Sequence, residues 1–411
     1  MKRYWRLNLG AAVFLLAGLA FCRTAAVKAE TNETEGKQVK IEELDPNMAD
    51  KPVDENGMIW FTPDEKPFEL LGFYWYDQDK VFRRLPVKPD VEISEGVDYL
   101  ANHTAGGQIR FRSDCRKLVL KADLGISEFM PHMAPTGSSG FDFYIGGPYQ
   151  QRFSTTARPP MEPDNHIVIG YFLDEQGERP AEMRDFTINL PLYNQVKSIR
   201  IGLDAGSRVM APQPYVSDRP VIVYGTSITQ GGCASRPGSC YTNILSRKLN
   251  RPFLNYGFSG NGKGEPEMAQ LLAEIADPAM LILDYQANCV DMIDRTLPEF
   301  IRIYREKHPE VPILVVSGIR FSGEAVGQRR EEGNSLSDWM IRYRDIQKNT
   351  VEACRAAGDR NIYFLDGSEL LDPLIYDEAT VDGVHPTDLG FTMMADGMAP
   401  VIRKILDGEA K

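Results

Sequence analysis

The chain of 411 residues has no Cys-x-x-Cys pair and no His-Glu-x-x-His run. Those spacings hold structural zinc and the zinc of metalloproteases, so a metal site has little support. Basic charge is also short: 46 Lys and Arg stand against 58 Asp and Glu, a formal net charge of −12. An acidic body repels phosphate backbones and anionic lipid, which argues against nucleic acid or a charged membrane surface as partner. No long low-complexity tract interrupts the chain, so a fibrous or disordered class is excluded. What is present is apolar residue in ordinary amount, 43%, enough for full cores in about two domains.

The first 29 residues read as a secretory signal rather than as fold. Lys2, Arg3 and Arg6 precede an apolar run from Leu9 to Phe21, and Val27-Lys28-Ala29 offers small residues at a cleavage point. The run is short for a stable membrane span. Export to the periplasm or the exterior is the expectation, with lipid attachment at Cys22 as the alternative; Phe21 just before that cysteine fits lipid processing poorly. Without residues 1–29 the chain keeps 41 basic and 58 acidic side chains, a formal charge of −17. Of its six cysteines, five follow Ala29, an odd number that leaves at least one thiol free or paired between chains. Cys233 and Cys240 bracket the run ASRPGS and would close it as a disulfide, or else are two small buried side chains.

The two halves differ in kind. From residue 37 to 213 helical periodicity is scarce, while FELLGFYW, QIRFRS, KLVLKADL, FDFYIGG, FTINLPL and VKSIRIGLDA recur between turn residues, which predicts an antiparallel β-sandwich of jelly-roll type. Gly206 to Pro220 would be the link. From 214 to 411 short apolar runs (Val221–Tyr224, Phe253–Tyr256, Met280–Asp284, Ile313–Ser317, Ile362–Leu365) alternate with amphipathic helical patterns such as Glu265–Ile275 and Leu336–Ala357. Apolar strands separated by helices imply a mostly parallel five-stranded sheet covered on both faces, a three-layer α/β/α arrangement.

The chemistry collects at the carboxyl ends of those strands, where open α/β folds bind ligands. In VIVYGTSITQGG a buried strand ends at Gly225 and presents Ser227. Asp382-Gly383-Val384-His385-Pro386 is the only place where a histidine sits three residues after an aspartate. Serine as nucleophile, histidine as base and aspartate holding the imidazole are the parts of acyl transfer. Between them, Asn255 to Gly262 supplies glycines that let backbone N–H groups approach a ligand, and Asn288 places an amide just past the third strand. Taken singly, each piece has a plainer reading: Ser227 as a turn or helix cap, Asp382-Gly383 as a turn, His385 as a cap of the last helix.

At these four blocks the sequence resembles the SGNH hydrolases, or GDSL-type esterases. Gly225-Thr226-Ser227 is similar to the family's Gly-Asp-Ser, FSGNG to its glycine block, Asn288 to its asparagine and DGVHP to its Asp-x-x-His, in the family's order over roughly residues 218 to 408. The asparagine block departs most, since YQANC lacks the common Gly-x-Asn-Asp form. The resemblance implies a flavodoxin-like catalytic domain. Ser227, Asp382 and His385 would be catalytic, and the N–H groups of Ser227 and Gly260 with the Asn288 amide would form the oxyanion hole. It also implies a serine mechanism without metal or cofactor. Some SGNH esterases of carbohydrate, such as those of carbohydrate esterase family two, carry a β-sandwich in this order. The expected substrates are therefore short acyl, O-acetyl type esters on carbohydrate; a lipid acylhydrolase or thioesterase, and a glycan-binding protein with a degenerate hydrolase half, are the alternatives.

Other residues have weaker claims. Arg236 in CASRPG and Lys263 in NGKG sit on loops that should border the pocket, as substrate-binding cations or as members of structural ion pairs. Arg320 and Trp339 are further candidates for the rim. His103, His132, His166 and His308 read as structural or solvated, but the loop His132-Met133-Ala134-Pro135 is a candidate to reach across the active site. Phe73, Tyr74, Trp75 and Tyr76 are a sugar-stacking face or, at alternate positions, core.

Overall fold

The computed structural model describes residues 51–125, 130–159, 166–172, 181–289, 291–330 and 333–409, the backbone alone for 166–172. The signal-like segment and Cys22 lie outside the described residues, as does the His166 side chain. Residues Lys51–Lys411 form one compact unit, in which sandwich and α/β halves pack together.

The N-terminal half supplies β1 (Met58–Phe61), β2 (Glu69–Leu71), α1 (Tyr76–Asp79), α2 (Glu95–Ala101), β3 (Gln108–Ser113), β4 (Lys117–Leu124), α3 (Pro135–Ser138), β5 (Phe141–Ile145), β6 (Arg152–Ala157), β7 (His166–Phe172), β8 (Arg184–Asn189), β9 (Val196–Asp204) and β10 (Val209–Met210). One antiparallel sheet runs β1-β9-β4-β7; the other runs β10-β3-β8-β5-β6, with β2 added beside β3. Period-two burial explains the pairing of the two: Leu118, Leu120, Ile201 and Leu203 from the first sheet meet Ile109, Phe111, Phe143 and Ile188 from the second in a closed core. FELLGFYW does not run through as a strand. It ends at Leu71 because Gly72 takes φ +92 and lies so close to Gly106 that a Cβ would sit 2.5 Å from its carbonyl oxygen.

The C-terminal half alternates β11 (Val221–Gly225), α4 (Ser227–Gln230), α5 (Tyr241–Leu249), β12 (Phe253–Gly257), α6 (Pro266–Leu272), β13 (Met280–Asp284), α7 (Ile293–Lys307), β14 (Ile313–Val316), α8 (Ser322–Ala325), α9 (Leu336–Ala356), β15 (Ile362–Leu365) and α10 (Asp388–Leu406). All five strands are parallel in the order β12-β11-β13-β14-β15, the flavodoxin-like arrangement. Val221 and Val223 pack on one face with α5 and α10, Ile222 and Tyr224 on the other with α6 and α7, so β11 is buried on both sides. The order reverses at β11, and the crevice at its carboxyl end is where the candidate site lies.

The sandwich half also enters both of these cores. Leu192, Tyr193 and Met133 join the face of α5 and α10, while Trp75, Leu85 and Val97 join the face of α6 and α7.

Candidate active site

Ser227 is placed by the sharp exit of β11. A Cβ on Gly225 would meet Thr229 Oγ1 at 2.0 Å and the Asp284 carbonyl oxygen at 2.4 Å, so only glycine lets the chain turn this tightly into α4. Thr226 caps that turn, its hydroxyl accepting from Ile228 N–H at 3.2 Å. The Ser227 carbonyl then accepts from Gly231 N–H, Gly232 N–H and the Tyr193 hydroxyl at 3.0, 2.9 and 3.1 Å. Its backbone is therefore fixed from its own loop and from the sandwich half.

The Ser227 hydroxyl lies 2.8 Å from His385 Nε2, and His385 Nδ1 lies 2.7 Å from Asp382 Oδ2. Asp382 also folds its own loop: Oδ1 accepts from Val384 N–H at 3.0 Å and from His385 N–H at 2.8 Å. Burial pushes the Asp382 carboxyl up, but the bonds from the His385 backbone and ring and from Val384 outweigh it, so it sits below the ordinary aspartate value and stays ionised. An ionised acceptor fixes the proton on Nδ1 and turns the Nε2 lone pair toward the serine.

Gly260 follows β12 with φ +68, and a Cβ there would meet nothing within 4 Å. The backbone N–H groups of Ser227 and Gly260 have no partner among the described residues. Asn288 lines the cleft beside Ser227 and donates one amide hydrogen to the Phe258 carbonyl at 3.2 Å, tying its loop to the glycine block. The cleft, about 480 Å³, is further bounded by Phe321, Gln328, Arg330, Trp339 and Val384.

Several residues that organise this edge had no marker in sequence. Arg84 is fully buried and donates to four carbonyls: His103 at 2.8 Å, Leu100 at 2.7 Å, Asn255 at 3.1 Å and Gly257 at 2.6 Å. Burial draws its pKa down to about 9, still above neutrality. Gln230 accepts from Ser259 N–H at 3.0 Å and donates to the Leu192 carbonyl and to His103 Nδ1, both at 3.1 Å. Burial, and then Arg84, hold the His103 pKa down to about 3, so its imidazole is neutral and accepts this bond. Gln230 stands one helical turn after Ser227, the single sequence signal available for it. Beneath the serine turn, the Asp284 carboxylate accepts from Tyr241 at 2.8 Å and Thr229 at 3.3 Å, and burial pushes its pKa up to about 7.

Other expected positions resolve differently. Arg236 is spent on structure: it pairs with the fully buried Asp142 at 3.1 Å, bonds the Tyr144 hydroxyl and stacks 4.0 Å from the Phe153 ring. The carboxylate that takes it comes from strand β5, which no loop-based reading would identify. Lys263 and Arg320 do not line the cleft; Arg320 instead donates to the Ser368 carbonyl. Trp339 does line it, with Arg330 stacked at 3.9 Å. His308 bonds the Ala273 carbonyl at 2.9 Å, a structural role, whereas His132 stands beside His385 with ring centroids 5.6 Å apart. Cys233 and Cys240 are both free, so no disulfide closes their loop. Phe73 and Trp75 are buried in two different cores, and Tyr74 and Tyr76 border a separate cleft that excludes Ser227.

The sequence profile of the GDSL-like Lipase/Acylhydrolase family matches residues 218–403, and that of the N-terminus of SGNH hydrolase-type esterases matches residues 58–209. The chain belongs to the SGNH hydrolase family. It is an ester hydrolase with the family's catalytic fold behind a β-sandwich. Among solved structures, this SGNH hydrolase is similar to a protein of Bacteroides ovatus assigned as a GDSL-like lipase, at 29% identity and TM-score 0.75, covering 85% of this chain and 98% of that one. It shares its fold with the salicylyl-acyltransferase SsfX3 from a tetracycline biosynthetic pathway, at 18% identity and TM-score 0.66, over 85% and 98% of the two chains. A family two carbohydrate esterase from Clostridium thermocellum is similar at 12% identity and TM-score 0.50, over 74% and 93%. No curated protein matches the sequence.

Proposed function

We propose that this SGNH hydrolase removes short acyl groups, acetate above all, from carbohydrate through an acyl-enzyme on Ser227. The observation that carries the reading is the continuous pair of contacts from Ser227 to His385 to Asp382, at 2.8 and 2.7 Å. Ser227 Oγ attacks the ester carbonyl carbon while its proton passes to His385 Nε2. The C–O bond to the alcohol then breaks, and the alcohol leaves with that proton. Water gives its proton to Nε2 and attacks the acyl-enzyme; acetate departs and Ser227 regains its proton. Asp382 keeps the imidazole in the required tautomer, and Ser227 N–H, Gly260 N–H and the Asn288 amide hold the developing oxyanion.

Short chains are favoured by the size of the cleft, about 480 Å³, and by its mixed lining of Gln328 and Arg330 with Trp339. An extended apolar groove would suit a lipid better. The sugar part of the reading rests on architecture shared with the carbohydrate esterase and on the half-buried Trp339 in the cleft lining, an aromatic side chain of the kind a pyranose packs against. Export belongs to the same proposal and rests on Lys2, Arg3 and Arg6 ahead of the apolar run Leu9 to Phe21, with lipid attachment at Cys22 as its alternative.

The test is acetate release from a panel of O-acetylated glycans and a p-nitrophenyl acyl series, with Ser227→Ala as control. Release from one glycan class, loss of rate beyond C4 and loss of at least 10³-fold on Ser227→Ala are expected. Preference for long acyl chains would replace the carbohydrate reading with the lipid one. A folded protein inert to every ester but retaining glycan would leave a binding protein. Sequencing the N-terminus of the protein recovered from its native cell, and its mass, would separate cleavage after Ala29 from a lipidated Cys22.

A further inference from the structure

Three side chains from three separate loops meet beside Ser227. His132 precedes α3, Cys233 follows α4 and His385 precedes α10, and one ligand atom from each lies within 4.8 Å of the other two. The grouping is held by its surroundings. Cys233 N–H donates to the Pro386 carbonyl at 3.1 Å, which sets the cysteine against the residue after His385. Thr136 donates to the Ser235 carbonyl at 2.6 Å, and Met133 is buried in the core of the α/β half, which pins the loop carrying His132. His132 itself is exposed, giving the cluster an opening to solvent.

We propose that His132, Cys233 and His385 form an inhibitory site for zinc. Two imidazoles and one thiolate are ligands that Zn²⁺ takes readily and that Mg²⁺ or Ca²⁺ does not. Bonds of about 2.0 to 2.3 Å place tetrahedral ligands roughly 3.3 to 3.8 Å apart, so a rotation of the exposed His132 side chain closes the set, and water completes the fourth position. Asp382 on Nδ1 of His385 is the carboxylate–imidazole pairing that orients a metal-bound histidine. The free thiol is neutral, burial having pushed its pKa up to about 12, and it releases its proton to solvent as the Zn–S bond forms. With Nδ1 held by Asp382, the lone pair open to the metal is that of Nε2. Inhibition rests on the role of His385 proposed above, because that same lone pair must take the serine proton; binding of the metal does not.

Two measurements on the full-length protein keep the proposals apart. Competition with a chromogenic zinc indicator measures binding without any ester, and hydrolysis of p-nitrophenyl acetate measures inhibition. One zinc per chain is expected, weakened at least tenfold in His132→Ala and in Cys233→Ser, with hydrolysis suppressed by Zn²⁺, untouched by Mg²⁺ and restored by EDTA. In the absence of zinc both variants should hydrolyse within about threefold of the parent. His132→Ala, at an exposed position, decides the matter if Cys233→Ser folds poorly. Equal zinc binding by parent and His132→Ala, or none by the parent, overturns the site. Site-specific binding that leaves hydrolysis unchanged overturns the inhibition. A protein that hydrolyses no ester yet binds zinc through His132 removes the enzymatic reading and leaves the metal site standing.

Discussion

At the scale of single residues, Asp382 performs two tasks that one substitution can separate. Oδ1 builds the turn through Val384 and His385 N–H, and Oδ2 takes the imidazole. Asp382→Asn keeps an oxygen for the turn but aims an amide at Nδ1, which forces the proton onto Nε2 and removes the lone pair facing Ser227. We expect kcat to fall by about 10² to 10⁴ with KM within about threefold and an unchanged melting temperature. A kcat within tenfold of the parent would mean that Asp382 shapes the loop and nothing more. That Ser227, Asp382 and His385 meet was legible because the proposed nucleophile, base and orienter must be particular residue types at the carboxyl edge of the sheet. Arg236 was not, because its partner Asp142 lies far away in sequence and only the sandwich topology brings the two together.

At the scale of elements, the carboxyl edge of β12 is held by a cation without a carboxylate. Arg84 answers four carbonyls and stacks 4.6 Å from Phe258. Arg84→Met strands those oxygens in a dry interior, and a loss of about 3 to 5 kcal/mol is expected in urea unfolding, with lowered kcat as the glycine block loosens. A loss under about 1 kcal/mol would show the carbonyls find other donors. Beneath β11 the sign of a second effect is fixed by Asp284. Its carboxyl rises from 3.8 in the unfolded chain to about 7 in the fold, so between those values the folded protein holds the extra proton. Its contribution to stability is greatest below 3.8 and declines as pH rises toward 7. Asp284→Asn, which still accepts from Tyr241, should be relatively more stable at pH 8 than at pH 4, by a few kcal/mol at most. Parallel unfolding curves for the two proteins across that range would refute it. The five parallel strands could be read from short apolar runs alternating with helical patterns, since β11, β12, β13 and β14 are buried on both faces and the half-buried edge strand β15 keeps the same apolar composition. Helices α1, α2 and α3 of the sandwich half could not, because each is short and is stabilised by what it packs against rather than by its own period.

At the scale of the whole molecule, composition suggested two domains and the structure joins them. The change from β-rich to alternating pattern locates the boundary in the sequence, but pattern carries no information about what fills the interface. Leu192, Tyr193 and Met133 complete one core of the α/β half and Trp75, Leu85 and Val97 complete the other, all at most 7% exposed. At roughly 1.5 to 3 kcal/mol for each large apolar side chain, their burial is comparable to the entire net stability of a domain, about 5 to 15 kcal/mol. Polar links run the same way: Tyr193 to the Ser227 carbonyl, His103 to Gln230 and Arg84 to Gly257. Residues 214–411 expressed alone would therefore expose both cores and lose three supports of the serine and glycine loops. We expect that fragment to be aggregated or molten and inactive, and residues 51–411 to unfold in a single calorimetric transition with equal van't Hoff and calorimetric enthalpies. Two resolved transitions, or a soluble 214–411 fragment with parental kcat on p-nitrophenyl acetate, would show instead that the sandwich is an appendage and that the catalytic loops stand without it.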